Sequence, residues 1–263
     1  MQILKTLITT IVAIASINCY SATEKIVLTP KNSYTIRTAI NNSSVNSAIN
    51  ALTELDESLP KGKPIYLVLD SPGGSISAGL KFIQFTNGLD REIKTISIFA
   101  ASMAYQIVQA LGERLVIPTG ILMAHPGSTR CQGKAKDIAA CLDILRQMDA
   151  MIHKQASTRI GMDYVKYRKL IQFDKYFIGN MLKSYNIVDR FVDIKCSKEL
   201  QKQRIEIVER VFIFVSKKIV SGCPLLEKPL GYKKNKVKKK EKLTLQEIIK
   251  RLKEAKKGKW HQN

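Results

Sequence analysis

The sequence predicts an α/β fold, a covered sheet with helices on its faces, continued by a helical and basic C-terminal extension. Three observations lead there. Short apolar runs alternate with segments of helical period, the run Ile65–Leu69 breaks at Ser71-Pro72-Gly73-Gly74, and a lone histidine closes the strand-like run Ile121-Leu122-Met123-Ala124-His125-Pro126. With 263 residues, 45% of them hydrophobic, the chain can build one sizeable core and an appendage.

Ile26–Leu28 starts a short strand and Tyr34–Ile40 leads into the next element. Val45, Ala48, Ile49, Leu52 and Leu55 recur at helical spacing, which predicts an amphipathic helix over 45–59. Continuous apolarity over 64–69 predicts a strand covered on both faces, as in a parallel sheet. A helix over 77–86, a strand over 94–99, a helix over 102–111 and two short strands, 114–117 and 121–124, follow. Such alternation argues for right-handed crossovers, with sites gathered at the carboxyl ends of the strands. Further on, helices are expected over 134–159, 164–170 and 175–183, a closing strand over 187–192, a long helix over 198–220, and a last amphipathic helix over 243–255. Four parts result: 1–22, 23–192, a helical extension 193–223, and a basic linker with a short tail helix, 224–263.

The first part has an early lysine, an apolar stretch from Leu7 to Ile17, and Ser21-Ala22 at its end, the layout of a secretory signal peptide. That predicts an exported protein, periplasmic or secreted. Removal of the leader would leave Cys131, Cys141, Cys196 and Cys223, which in an oxidising compartment are expected to pair by proximity, Cys131 with Cys141 and Cys196 with Cys223. Their spacings match no zinc pattern, and neither a metal nor another cofactor is expected. Net charge is +21, concentrated after Gly231. Such a tail suits an anionic membrane surface or an acidic partner, and export argues against nucleic acid.

A serine hydroxyl needs a base before it can attack a carbonyl, and an imidazole base needs an acceptor that fixes its tautomer. Ser102, in Ala100-Ala101-Ser102-Met103-Ala104, and His125 supply the first two. His153 lies inside the long helix and His261 in the tail, and both read as incidental. Asp70, Asp90, Asp137, Asp143, Asp149, Asp163, Asp174 and Asp189 are all open as the third. Gly73-Gly74 either exposes amides to an oxyanion or closes a tight turn, and Ser102 is either a nucleophile or a helix-packing residue.

Taken together, Ser71-Pro72-Gly73-Gly74 with Ala78-Gly79, the serine segment around Ser102, and Met123-Ala124-His125-Pro126 with Gly133 and Asp137 resemble the Clp protease proteolytic subunit family. Gly161, Asp174 and Asp189 follow at the family's spacing. The resemblance covers about 26–192 and implies a crotonase-like fold, a Ser102-His125-Asp174 triad, and an oxyanion hole formed by the amides of Gly74 and Met103 with Gly73 in support. It also implies a serine peptidase acting on peptides or unfolded chains, and a homo-oligomer. Three departures stand out: one residue is missing after His125, the glycine-rich piece is shortened to 127–133, and the acidic stretch before Asp174 reads Lys169-Leu170-Ile171-Gln172-Phe173. Exported copies would have no ATPase beside them and would cut unaided. Two other readings stay open: a serine-lysine dyad, as in signal peptide peptidases, and a non-catalytic assembly or binding protein acting through its tail.

Overall fold

The computed structural model describes residues 23–211, 214–226 and 231–233. Its centre is β3 (Ile65–Ser71), β4 (Ile93–Ala101) and β5 (Arg114–Ala124), which pair in parallel. Ile65, Leu67, Val68, Leu69 and Ile96 are fully buried, as continuous apolarity requires of strands covered on both faces. Outside them lie β2 (Ser33–Ile36), β7 (Arg190–Cys196) and β1 (Glu24–Leu28), in the order β1-β7-β5-β4-β3-β2, and β6 (Lys175–Ile178) adds to β5 antiparallel.

Helix α1 (Asn42–Ser58) starts at Asn41, whose side chain accepts the Ser43 and Ser44 amides, and it buries Val45, Ala48, Leu52 and Leu55. The next two helices, α2 (Ile76–Asn87) and α3 (Met103–Ala110), contribute Phe82, Ile107 and Val108 to the same core. The long α4 (Ala135–Ile160) stops at Gly161, whose φ of 72° is the left-handed conformation that ends helices. Beyond it come α5 (Tyr164–Leu170), the single turn α6 (Met181–Ser184) and α7 (Lys198–Lys202). Opposite the main core, Ile26, Leu28, Val68, Leu115 and Leu200 pack beside the Cys196–Cys223 disulfide.

Three expectations need correcting. The segment 175–183 is a strand followed by one helical turn: Phe177 is buried between the exposed Tyr176 and Ile178, a period of two. The pieces 114–117 and 121–124 form one strand, and its partner β4 absorbs the irregularity by a register shift between Ser97 and Phe99. The helix expected over 198–220 ends at Lys202, and β8 (Arg204–Val211) and β9 (Phe214–Ser221) follow, as a β-branched sequence favours. With β10 (Gly231–Lys233), inside the expected linker, they form a second sheet in the order β10-β9-β8. Most of that sheet, 206–211, 214–220 and 231–233 among the described residues, falls in a second unit. The leader and the tail helix over 243–255 lie outside the described residues.

Candidate active site

Ser102 follows β4 directly and opens α3 with φ 55° and ψ −120°, a conformation that costs a non-glycine residue on the order of 1–3 kcal/mol. Its surroundings hold it there. The Ser102 amide donates to Met123 O at 2.9 Å, and the Gln106 amide donates to Ser102 O at 3.2 Å. From β3 comes Gly73, where a Cβ would stand 2.4 Å from Ala101 O and 2.6 Å from Ser102 Cβ. Only a residue without a side chain can back the serine so closely. Gly74 is fixed in turn: the Ile40 amide donates to Gly73 O at 2.7 Å, and the Ser75 amide donates to Ile40 O at 2.8 Å.

A cavity of about 50 Å³ opens beside the serine, lined in part by Gly74, Ser102, Met103, Gln106, His125 and Gly127. Four residues expected at the site therefore share one cavity, with Gly73 directly behind it. Met103 is the first residue of α3, where amides have no partner within the helix. Asp174 is carried close by sheet register: β6 pairs Lys175 with Ala124, so the next position along places Asp174 beside His125. Its side chain is exposed, and among the described residues no hydrogen bond or ion pair joins Ser102, His125 and Asp174. The three residues expected as a triad are neighbours in the fold, and no bond joins them. Asp174 precedes a strand, where a helix start was expected.

The buried acid near the cavity is a different one. Asp149, on α4, accepts the Gly127 amide at 2.6 Å and Arg168 Nη1 at 2.5 Å. His153 Nε2 lies 2.9 Å from Asp149 Oδ1, without the alignment of a hydrogen bond. Burial raises the pKa of Asp149, but His153, the Gly127 amide and Arg168 more than offset it and bring it down to about 2. On its other side, His153 Nδ1 meets Gln106 Nε2 at 3.1 Å. The Tyr167 ring packs against His153, and burial pushes its hydroxyl up to about 12. His153, read as incidental from the sequence, thus stands in a buried polar cluster whose Gln106 and Gly127 line the cavity. A signal was present in the sequence: Asp149 and His153 are four apart on one helix, hence on one face.

A larger open recess of about 520 Å³ lies at the amino ends of β4 and β5, lined by Glu113, Arg114, Arg159, Asn186 and Asp189 among others. Its charges are engaged with one another. Arg114 is 2% exposed and donates to Asp189, Gln109 Oε1 and Asn186 O. Burial raises the Asp189 pKa, and the Arg114 bonds lower it by more, so the carboxylate stays ionised. Both expected disulfides are formed, Cys131–Cys141 and Cys196–Cys223. Among the described residues no histidine, cysteine or acid cluster is arranged to hold a metal, and no helix is long and apolar enough to cross a membrane.

The Clp protease family model matches residues 18–195. ATP-dependent Clp protease proteolytic subunit 2 from Prochlorococcus marinus (strain NATL2A) is 31% identical over 157 residues, which cover 58% of this chain and 78% of the relative. ATP-dependent Clp protease proteolytic subunit 3 from Synechococcus sp. (strain CC9605) is 32% identical over 159 residues, with the same coverage of 58% and 78%. A further subunit 2, from Prochlorococcus marinus (strain MIT 9313), is 33% identical over 153 residues, covering 56% of this chain and 75% of its own.

Proposed function

The chain belongs to the Clp protease family, and from that premise we propose that it is a serine peptidase whose nucleophile is Ser102. The observation that carries this reading is the strained serine at the head of α3, backed by Gly73 and sharing one cavity with His125. Ser102 Oγ attacks a peptide carbonyl while His125 takes its proton, and the imidazolium returns that proton to the leaving amine. The amides of Gly74 and Met103 receive the oxyanion. Asp174 orients His125 after a side-chain rotation across the β5–β6 pair, since hydrogen bonds of a resting site often tighten only with substrate bound. Water then attacks the acyl-enzyme with His125 again as base, freeing Ser102. His125 at the cavity favours this over a serine-lysine dyad, because no lysine lines the cavity.

Finer aspects of the reading rest on the family and on two local features. Family membership supports reading the chain as crotonase-like, homo-oligomeric and acting on peptides or unfolded proteins. Export is supported by the two disulfides, which persist in oxidising compartments. The lysine-rich tail gives an anionic surface or acidic partner its contact. One observation favours a rival, a non-catalytic assembly protein: the exposed Asp174 is not bonded to His125. Mass spectrometry after fluorophosphonate treatment separates the two. An adduct on Ser102 that disappears in Ser102→Ala supports the peptidase, and a folded, oxidised sample without adduct supports the rival.

A further inference from the structure

The two disulfides differ in what surrounds them. Cys196 and Cys223 are 4% and 3% exposed and pack among Ile26, Leu28, Val68 and Leu200, where no thiol reaches the sulfurs without unfolding. Cys131 and Cys141 are half-buried, and their chain neighbours Arg130, Gln132, Ala140 and Leu142 are exposed. Thiol–disulfide exchange needs a thiolate to reach a disulfide sulfur, so access decides which of the two bonds is attacked. The accessible one also lies in a sensitive place. The segment 127–133 continues from His125-Pro126, supplies Gly127 and Ser128 to the wall of the cavity beside Ser102, and leads into α4. It has no regular secondary structure, and among the described residues 128–133 make no hydrogen bond. Two fastenings hold it instead: the Gly127 amide donates to the buried Asp149 at 2.6 Å, and Cys131 is bonded to Cys141, two turns into α4. With the disulfide closed, the chain between Gly127 and Cys131 is fixed at both ends. With it open, nothing restrains the chain from Ser128 until the Lys134 amide meets Asp137 at the start of α4. A loosened wall must be ordered again whenever a peptide binds, which weakens binding and leaves the nucleophile untouched.

We propose that Cys131–Cys141 is a thiol-exchange site through which a dithiol reductant controls the grip of the peptidase on its substrate, firm when the bond is closed and weak when it is open. The proposal rests on Ser102 being the nucleophile. In the exchange, one thiolate of the reductant attacks the sulfur of Cys131 or Cys141 and expels the other cysteine as a thiolate. The second thiol of the reductant then attacks the mixed disulfide. The reductant leaves as a disulfide, having given up two electrons and two protons, and both cysteines end as thiols.

The test treats the full chain, both disulfides formed, with dithiothreitol in the absence of denaturant. Iodoacetamide and mass spectrometry then report which cysteines have opened, and Cys131 and Cys141 are expected to be alkylated while Cys196 and Cys223 are not. In that state the KM for fluorescein-labelled casein, an unfolded protein, should rise about fivefold or more with kcat within twofold, and reoxidation should restore it. A disulfide that served only fold stability would leave KM unmoved in a chain that stays folded. The double variant Cys131→Ser with Cys141→Ser should show the raised KM and no response to dithiothreitol. Should that variant not fold, reduced wild type and its reoxidation decide. Alkylation of Cys196 and Cys223 as readily as of the other pair overturns the proposal, as does an oxidised chain that takes a fluorophosphonate adduct yet leaves casein uncut. An adduct on Ser102 combined with a KM equal in both redox forms sinks this inference alone. No adduct on Ser102 in either form sinks the peptidase reading and this inference with it.

Discussion

At the amino ends of β4 and β5, Arg114 donates to Asp189, Gln109 and Asn186, while Arg190 and Lys94 share Glu113. At the carboxyl ends of the same two strands, Ser102 holds an unfavourable backbone conformation and neither it nor His125 has a side-chain partner among the described residues. One end is saturated, the other is left open. An open hydroxyl and an open imidazole contribute little to stability, and they are what a substrate needs to find. The saturated end shows how a charged group is kept in a protein interior when it has no chemistry to perform.

The contrast can be broken from either side. Ser102→Ala is expected to lower peptide hydrolysis on the order of 10³-fold or more, read as kcat/KM, and to leave the thermal transition nearly unmoved. Gly73→Ala places a Cβ 2.4 Å from Ala101 O at a φ of 88°, and should cost about 3 kcal/mol in urea unfolding while displacing Ser102 enough to lose most fluorophosphonate labelling. Arg114→Met attacks the other end. It removes the guanidinium from Asp189 and Gln109, leaving Asp189 the amide of residue 114 and Arg159, and should cost roughly 3 kcal/mol, with labelling of Ser102 per folded molecule within twofold of wild type. If that substitution also removed labelling, the two ends would not be separable.

Asp149 allows a pH test. Its pKa is depressed from 3.8 to about 2, so its stabilisation is fully present above the unfolded-state value and is lost as pH falls through the folded one. Wild type should lose about 2 kcal/mol from this group between about pH 4 and pH 2, and Asp149→Asn should show a flatter decline over that window in urea titrations. The smallest effect sharpens the comparison. Ser102→Gly relieves the backbone conformation and should raise unfolding stability by about 1 kcal/mol, although the hydroxyl is lost.

Legibility from sequence divided along the same line. The buried strands and α1 were readable because continuous apolarity and helical spacing report burial directly, and Gly73, Gly74, Ser102 and His125 lay at strand ends where sites collect. What escaped depended on pairing. Lys175–Ile178 is too short for its alternation to outweigh a helical reading, and only its pairing with β5 makes it a strand. Over 204–211 and 214–221 the β-branched residues outweigh the apolar spacing that suggests a helix. Nothing local marks Gln106 as a pocket residue, since its place depends on His153, which is distant in the chain.

Strand β6 has one further consequence. Side chains along a strand alternate between faces, so losing or gaining a single residue in the turn before Lys175 would leave the sheet able to re-form and yet set Phe173 or Lys175 in the place now taken by Asp174. Length in that turn is therefore under tighter constraint than residue identity. Chains that have drifted by one residue there would lack an acid beside His125.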